Sequence, residues 1–290
     1  MIVVDKPEGC TSHDVVNRIR RMAQTRRIGH LGTLDPMATG VLPLVVGRAT
    51  RLAQFFQRND KKYDAVIRFG LTTDSYDREG STTATHPDFE LSRGGLEHAL
   101  EAYRGTFMQT PPPVSAKKVN GVPAYKLARK NAAVELQPVE ITVHSIELRE
   151  ITNDTARVIV HCAAGTYVRS IAHDLGQWLG CGAILDRLRR TASGDFGEEQ
   201  SRTLADLEVL TDQGRLVEAL IPAARLLPDM PAEIVDALTA GQIRQGRDFR
   251  VSPFRSRGGG TFVKAVTQDG DLIAIGEAKL PNVYHPILVL

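Results

Sequence analysis

The sequence predicts an α+β protein in two parts, and three observations carry that reading. Tyr63, Ala65, Ile67 and Phe69 alternate with Asp64, Val66 and Arg68, the period of a half-buried strand. Other strand-prone runs interleave with amphipathic helical segments, and no internal repeat or low-complexity tract relates them. Around 222–231 (PAARLLPDMP) the chain turns Pro-rich, and the last sixty residues are mostly β-prone.

In chain order, residues 2–4 are a short β-prone run ending at Lys6-Pro7. KPEGCTS is a turn, with Ser12 as N-cap of a helix over about 13–24. Val15, Val16, Ile19 and Met22 share one face of that helix, and the arginines lie opposite. After a Gly-rich loop, VLPLVVG reads as a buried strand, RATRLAQFF as a helix and KKYDAVIRFG as the alternating strand. LTTDSYDREG reads as a polar loop, and a helix over 92–104 stops at Gly105. The segment 109–131 opens with three prolines. It carries Lys117, Lys118, Lys126, Arg129 and Lys130 with no acid among them, a basic hairpin and short helix suited to phosphates or a solvated face. Strands over 139–150 and 155–162 join at Asn153-Asp154. A Gly turn then leads into a helix capped by Thr166 and ending near Gly180. A helical stretch from Thr203 to about 219 precedes the Pro-rich segment. Beyond it come a short helix near 232–239 and a hairpin, TFVKAV and LIAIGEAKL around Asp269-Gly270.

The chemistry concentrates in residues 26–42, RRIGHLGTLDPMATGVL. Pro36 fixes its own φ and holds Asp35 in an extended or turn conformation, so this carboxylate sits on a stiff loop. Arg18, Arg20, Arg21, Arg26 and Arg27 precede it with no acid between Asp14 and Asp35, a neighbourhood expected to keep it ionised. Asp-Pro also starts ordinary turns, and His30 and Tyr63 alone read equally as core residues. Arg169 lies in the first turn of its helix, where the dipole disfavours a cation, so a carboxylate partner is expected.

Composition narrows the classes. Lys and Arg number 36 against 34 Asp and Glu, so bulk charge does not announce a polyanion binder. The charge is blocky, basic at 18–27, 117–130 and 244–257 and acidic near 74–101, which fits local polyanion contact. Cys10, Cys162 and Cys181 offer neither a CxxC pair nor metal spacing, which suggests reduced thiols in a cytoplasmic protein. No apolar run is long enough for a membrane span, and MIVVDKPEG reads as a first strand rather than a signal peptide. The chain has no P-loop or dinucleotide fingerprint, so neither cofactor nor metal is expected.

GHLGTLDPMATGVL resembles the catalytic-loop motif of the TruB family of tRNA pseudouridine-55 synthases. KPEGCTS, KKY, the 71–80 segment, SAKKVNGVPAYKLAR, GTYVR and LRR resemble further motifs in the family's order, over about residues 1–200. The resemblance implies a mixed, largely antiparallel sheet with flanking helices as a catalytic domain over 1–225, with an RNA-binding thumb at about 109–135. A small β-rich module over 229–290 resembles, more weakly, a PUA domain. Asp35 is then the catalytic carboxylate and Arg169 its partner. Tyr63, Tyr167 and Leu188 wall the base pocket, and His30 enters the RNA stack that the target base leaves. Lys6 supports the active-site loop and joins the substrate-contacting set, and Asp77 is a supporting or RNA-loop contact. Arg187, Arg189 and Arg190 read as surface or phosphate contacts, and His173 and Asp174 as structural. The implied partner is the T arm of tRNA, met by a monomer with no obligate protein partner. Two other readings stand beside this one: a guide-RNA-dependent subunit, and a tRNA-binding or folding helper using the same surface. A glycoside hydrolase is excluded, because no second carboxylate accompanies Asp35 in the sequence.

Overall fold

The computed structural model describes residues 1–115, 136–252 and 261–290, together with the backbone of 118–119 and 122–123. The strands are β1 (Ile2–Lys6), β2 (Ile28–His30), β3 (Thr39–Val46), β4 (Lys61–Phe69), β5 (Leu71–Thr73), β6 (Thr82–Thr85), β7 (Gly105–Gln109), β8 (Lys118–Val119), β9 (Val122–Pro123), β10 (Val139–Ile151), β11 (Thr155–Cys162), β12 (Ala183–Ser193), β13 (Phe196–Gly197), β14 (Arg202–Thr203), β15 (Ala232–Val235), β16 (Phe249–Arg250), β17 (Phe262–Thr267), β18 (Leu272–Leu280) and β19 (Val283–Val289). The helices are α1 (Ser12–Met22), α2 (Arg93–Glu101), α3 (Val168–Trp178), α4 (Leu204–Asp212) and α5 (Ala237–Arg244). No helix among the described residues is long and apolar enough to cross a membrane.

Ten strands form one sheet in the order β14-β1-β3-β12-β4-β11-β10-β7, with β2 beside β3 and β13 beside β12. β1 with β14 and β3 with β12 are parallel, and the remaining pairs are antiparallel, so the sheet is mixed and largely antiparallel as expected. Strand alternation splits β1 and β3 between two cores. Ile2, Val4, Leu42, Leu44, Ala65 and Ile67 pack under α1, α2, α3 and α4. Val3, Val41 and Val45 face the other way, onto a 3-10 helix (Gly47–Phe56) and onto Val266, Ile275 and Leu288 of the second sheet. That second sheet runs β15-β17-β18-β19-β16. Each fully buried Leu, Ile or Val contributes about 2 kcal/mol, and β1 and β3 carry them on both faces.

Several local expectations change. Thr11, not Ser12, caps α1, through a capping box with Asp14. Ser12 points inward and exchanges hydrogen bonds with Leu34. Residues 71–80 are more than a polar loop: β5 pairs with β6, and Thr72, Thr73, Ser75 and Asp77 are buried. Tyr167, not Thr166, precedes α3. The stretch from 203 splits at Gly214 (φ 69°) into α4 and a 3-10 turn, Leu216–Ala219. Residues 232–239 hold β15 and then, after the Asp236 cap, the start of α5. Of the basic set at 117–130, Lys117, Lys126, Arg129 and Lys130 lie outside the described residues. Lys118 is described only as backbone, in the pair β8–β9.

Candidate active site

The loop between β2 and β3 is held from three sides. It turns at Asp35-Pro36, with the Ala38 N–H donating to the Asp35 carbonyl at 3.1 Å. From α1, the Ser12 hydroxyl donates to the Leu34 carbonyl (3.0 Å) and accepts from its N–H (2.8 Å). From β1, the fully buried Lys6 ammonium donates to the carbonyls of Cys10 (2.7 Å), Pro7 (2.9 Å) and Pro36 (3.1 Å). From β12, the buried Arg190 guanidinium donates to the carbonyls of Val41 (2.7 Å), Gly32 (3.1 Å) and Thr33 (3.4 Å). Gly40 is required where β3 meets this arginine: its φ is 99°, and a Cβ there would stand 2.2 Å from the Arg190 carbonyl.

Arg169 joins the loop to the opposite wall. Its Nε and Nη2 grip Asp35 as a fork, at 2.9 Å to Oδ2 and 3.0 Å to Oδ1. Nη1 donates to Asp77 Oδ2 (3.2 Å) and the Ser75 carbonyl (3.1 Å), and Nη2 also donates to the Val114 carbonyl (3.0 Å). Nη1 and Nη2 thus donate four hydrogen bonds, and Nε lies at ion-pair distance from Asp35. Asp77 is fixed in turn by the Ser75 hydroxyl (2.6 Å) and the Glu79 N–H (3.0 Å). Burial pushes the Asp35 carboxyl above the ordinary carboxylate range; Arg169 draws it down, the like charge of Asp77 raises it and Lys6 lowers it. The neighbouring arginines of the sequence are not what keeps Asp35 ionised; among the described residues it is Arg169, 134 positions away, with Lys6 behind the loop.

Asp35 and Arg169 open on a pocket of about 290 Å³ that Tyr63, Tyr167, Leu188, Lys61 and Arg190 also line. Tyr63 and Leu188 are buried side chains of adjacent antiparallel strands. Tyr167 is half-buried at the entry to α3, its backbone held by the Gln109 amide at 2.9 and 3.0 Å. Burial raises both tyrosine phenols above their usual range, so these rings offer uncharged faces. His30 lies outside the lining; burial and Arg190 lower its pKa, and the ring is neutral near pH 7. Lys6 faces the loop and not the pocket. A recess of about 530 Å³ elsewhere carries Asp64, Arg157 and Arg189, but Arg157 is paired with Asp64 and Arg189 with Asp5 and Glu198.

Sequence reasoning misplaced Arg190, which is a buried clamp instead of a surface contact. Arg189 is partly exposed but paired with Asp5 and Glu198, and Arg187, 3.5 Å from Asp186, is the largely exposed one of the three. The available signal was the period of two: with 183–193 as a strand, Arg190 shares a face with Leu188. His173 stacks on Tyr76 with ring centroids 3.7 Å apart, and burial pushes the nearby Asp174 carboxyl up to about 6; neither lines the pocket.

Comparisons with known proteins bear on this geometry. The model of the TruB family pseudouridylate synthase N-terminal domain matches residues 20–168, and that of the tRNA pseudouridylate synthase B C-terminal domain matches 169–227. The chain is 58% identical over 290 residues to the tRNA pseudouridine synthase B of Solibacter usitatus (strain Ellin6076), covering 100% of this chain and 99% of that one. It is 38% identical over 280 residues to that of Aquifex aeolicus (strain VF5), covering 96% and 95%. Among solved structures, an H/ACA RNP bound to a substrate RNA containing 2'-deoxyuridine superposes with a TM-score of 0.72 at 25% identity, over 100% of this chain and 83% of that one. A Cbf5-Nop10-Gar1 complex gives 0.70 at 27% identity, over 97% and 78%. With two domain models matching end to end and a relative aligned along the whole chain, the protein belongs to the TruB family of pseudouridylate synthases.

Proposed function

We propose that this chain isomerises uridine to pseudouridine at position 55, in the T loop of tRNA. The observation that carries the reading is the Arg169 fork on Asp35 at the mouth of an aromatic-walled pocket. The whole-chain likeness to two tRNA pseudouridine synthases B supports tRNA as the substrate.

The reaction breaks the N1–C1′ bond, turns the uracil, joins C5 to C1′, releases the C5 proton and leaves N1 protonated. No electron is gained or lost, and no group leaves. Asp35 supplies the negative charge, as nucleophile or base at the glycosidic junction. Arg169 keeps it ionised against burial, and Asp77 keeps Arg169 aimed. Tyr63, Tyr167 and Leu188 hold the detached base on apolar and aromatic surface. A uridine in a folded loop reaches them only when flipped out, and His30 stacks where it left. Lys117, Lys118, Lys126, Arg129 and Lys130, in a thumb over 109–135, contact RNA phosphates. Residues 1–225 form the catalytic domain and 229–290 a PUA-like RNA-binding module. The enzyme works as a monomer in the cytoplasm without cofactor.

The test is tritium release from unmodified tRNA labelled at uracil C5, with no guide RNA or cofactor added. Release by the wild type but not by Asp35→Asn, mapped to the T loop, is expected. The likeness to chains from H/ACA assemblies favours one second reading, a guide-dependent subunit. Release only after guide RNA is added would select it, and tight tRNA binding with no release in either case would select a folding helper.

A further inference from the structure

Away from the pocket, three donor side chains converge where β4, β10 and β11 lie side by side. Asp60 immediately precedes β4, His144 lies in β10 and His161 in β11. β10 is bulged at this point: Val143 pairs with Cys162 and Ser145 with His161, so His144 is the extra residue. Such a bulge re-aims the inserted side chain, here toward the ring it would otherwise pass. The His144 and His161 ring centroids are 4.7 Å apart, tilted by 53°. His144 Nε2 stands 3.1 Å and His161 Nε2 3.8 Å from the same Asp60 oxygen, Oδ2, and the three donor atoms lie within 4.8 Å of one another.

A simple Asp–His pair needs one histidine; two aimed at a single oxygen form a three-donor set. The side chains keep 37%, 33% and 45% exposure for His144, His161 and Asp60, so an ion has a way in. The scaffold is stiff: His144 and His161 sit on adjacent strands, and Asp60, at the entry to β4, has its carbonyl held by the Gly194 N–H at 2.8 Å. Two cations work against a metal here: Lys62, the cross-strand partner of His161, and Lys61, whose charge interacts with Asp60.

We propose that Asp60, His144 and His161 bind one divalent transition-metal ion of the zinc class, which fastens β4, β10 and β11 together. Two imidazoles and a carboxylate suit zinc, whereas calcium and magnesium favour all-oxygen sets. With donors about 2.1 Å from zinc, a tetrahedral site spaces them about 3.4 Å apart, within side-chain rotation of the observed spacing. Three protein ligands leave a fourth position for water.

The test is calorimetric titration of the untagged, chelator-treated full chain with zinc chloride. One zinc per chain is expected, with a rise in Tm on binding. His144→Ala and His161→Ala should each weaken binding by at least about tenfold, since loss of even an outer-shell partner does as much. His285→Ala, which removes a surface pair with Asp248, should bind as the wild type does. Absence of saturable zinc binding would overturn the proposal, and so would equal affinity in the wild type and both alanine variants. Calorimetry and Tm report on this site whether or not the chain isomerises uridine.

Discussion

Replacing Arg169 by Met removes the fork on Asp35 and leaves Asp77 as an uncompensated like charge beside it. The burial that already raises the Asp35 pKa then meets little opposition. Opposite unit charges about 4 Å apart attract by about 4 kcal/mol at an effective dielectric of about 20. One pH unit corresponds to about 1.4 kcal/mol, so the ceiling is about three units. The Asp35 side chain keeps 32% exposure, and water there screens the pair, so the carboxyl rises by less than that ceiling. The reaction needs the ionised form, so activity is lost as pH falls through the folded-state pKa. Raising that pKa moves the acid limb of the pH–rate profile to higher pH. The assay is the initial rate of tritium release from C5-labelled tRNA between pH 5 and 9, with RNA affinity measured alongside. The rate should fall more than the affinity. Removing one partner of a buried pair also destabilises by about 3–5 kcal/mol, so Tm is measured with each variant. Arg169→Lys preserves the charge without the fork, and its limb should stay near the wild-type position while its rate drops. A Met variant that is folded and has the wild-type limb and rate would refute the ion-pair account.

Asp35→Asn should abolish turnover while RNA affinity stays within about tenfold, because phosphate contacts dominate affinity; filter binding checks this. A raised folded-state pKa means that ionised Asp35 costs stability above that pKa, so the same variant should lose little or no Tm at neutral pH. Arg190→Ala should destabilise by about 2 kcal/mol or more in urea, because the buried carbonyl of Val41 and the partly buried carbonyls of Gly32 and Thr33 lose their donor. Gly40→Ala should shift the urea midpoint in the same direction, since its Cβ meets backbone in a left-handed conformation. Changing Lys117 and Lys118 together should weaken tRNA binding and reduce its log-salt slope by about two; an unaltered slope would take both lysines off the phosphates.

Features local in sequence were legible. The stiff Asp35 turn, the alternation that buries Tyr63 and the Asp269-Gly270 hairpin follow from residues a few positions apart. Arg169 could be read as needing a carboxylate, because a cation in a first helical turn is misplaced without one. What could not be read was where distant groups meet. Arg190 looks like one of three surface arginines until β12 is paired beside β3, which sets it against carbonyls about 150 positions away. Ser12 fits an N-cap by composition, but Thr11 has Asp14 three residues on and takes the role, and Leu34 then claims the Ser12 hydroxyl. The polarity of residues 71–80 suggested solvent, yet Asp77 is buried, because Arg169 supplies the charge that makes its burial tolerable.

The triple fastening of the Asp35 loop determines which molecule must deform. With Ser12, Lys6 and Arg190 already bonded to its carbonyls, the loop has little room to close over an incoming RNA. The carboxylate is a fixed post, and the strained partner is the nucleic acid. Under the proposed reaction, a uridine is chosen by how readily its own stack gives it up and presents it to that post. A loosened T loop should then react faster than a stiffened one of identical sequence near the target.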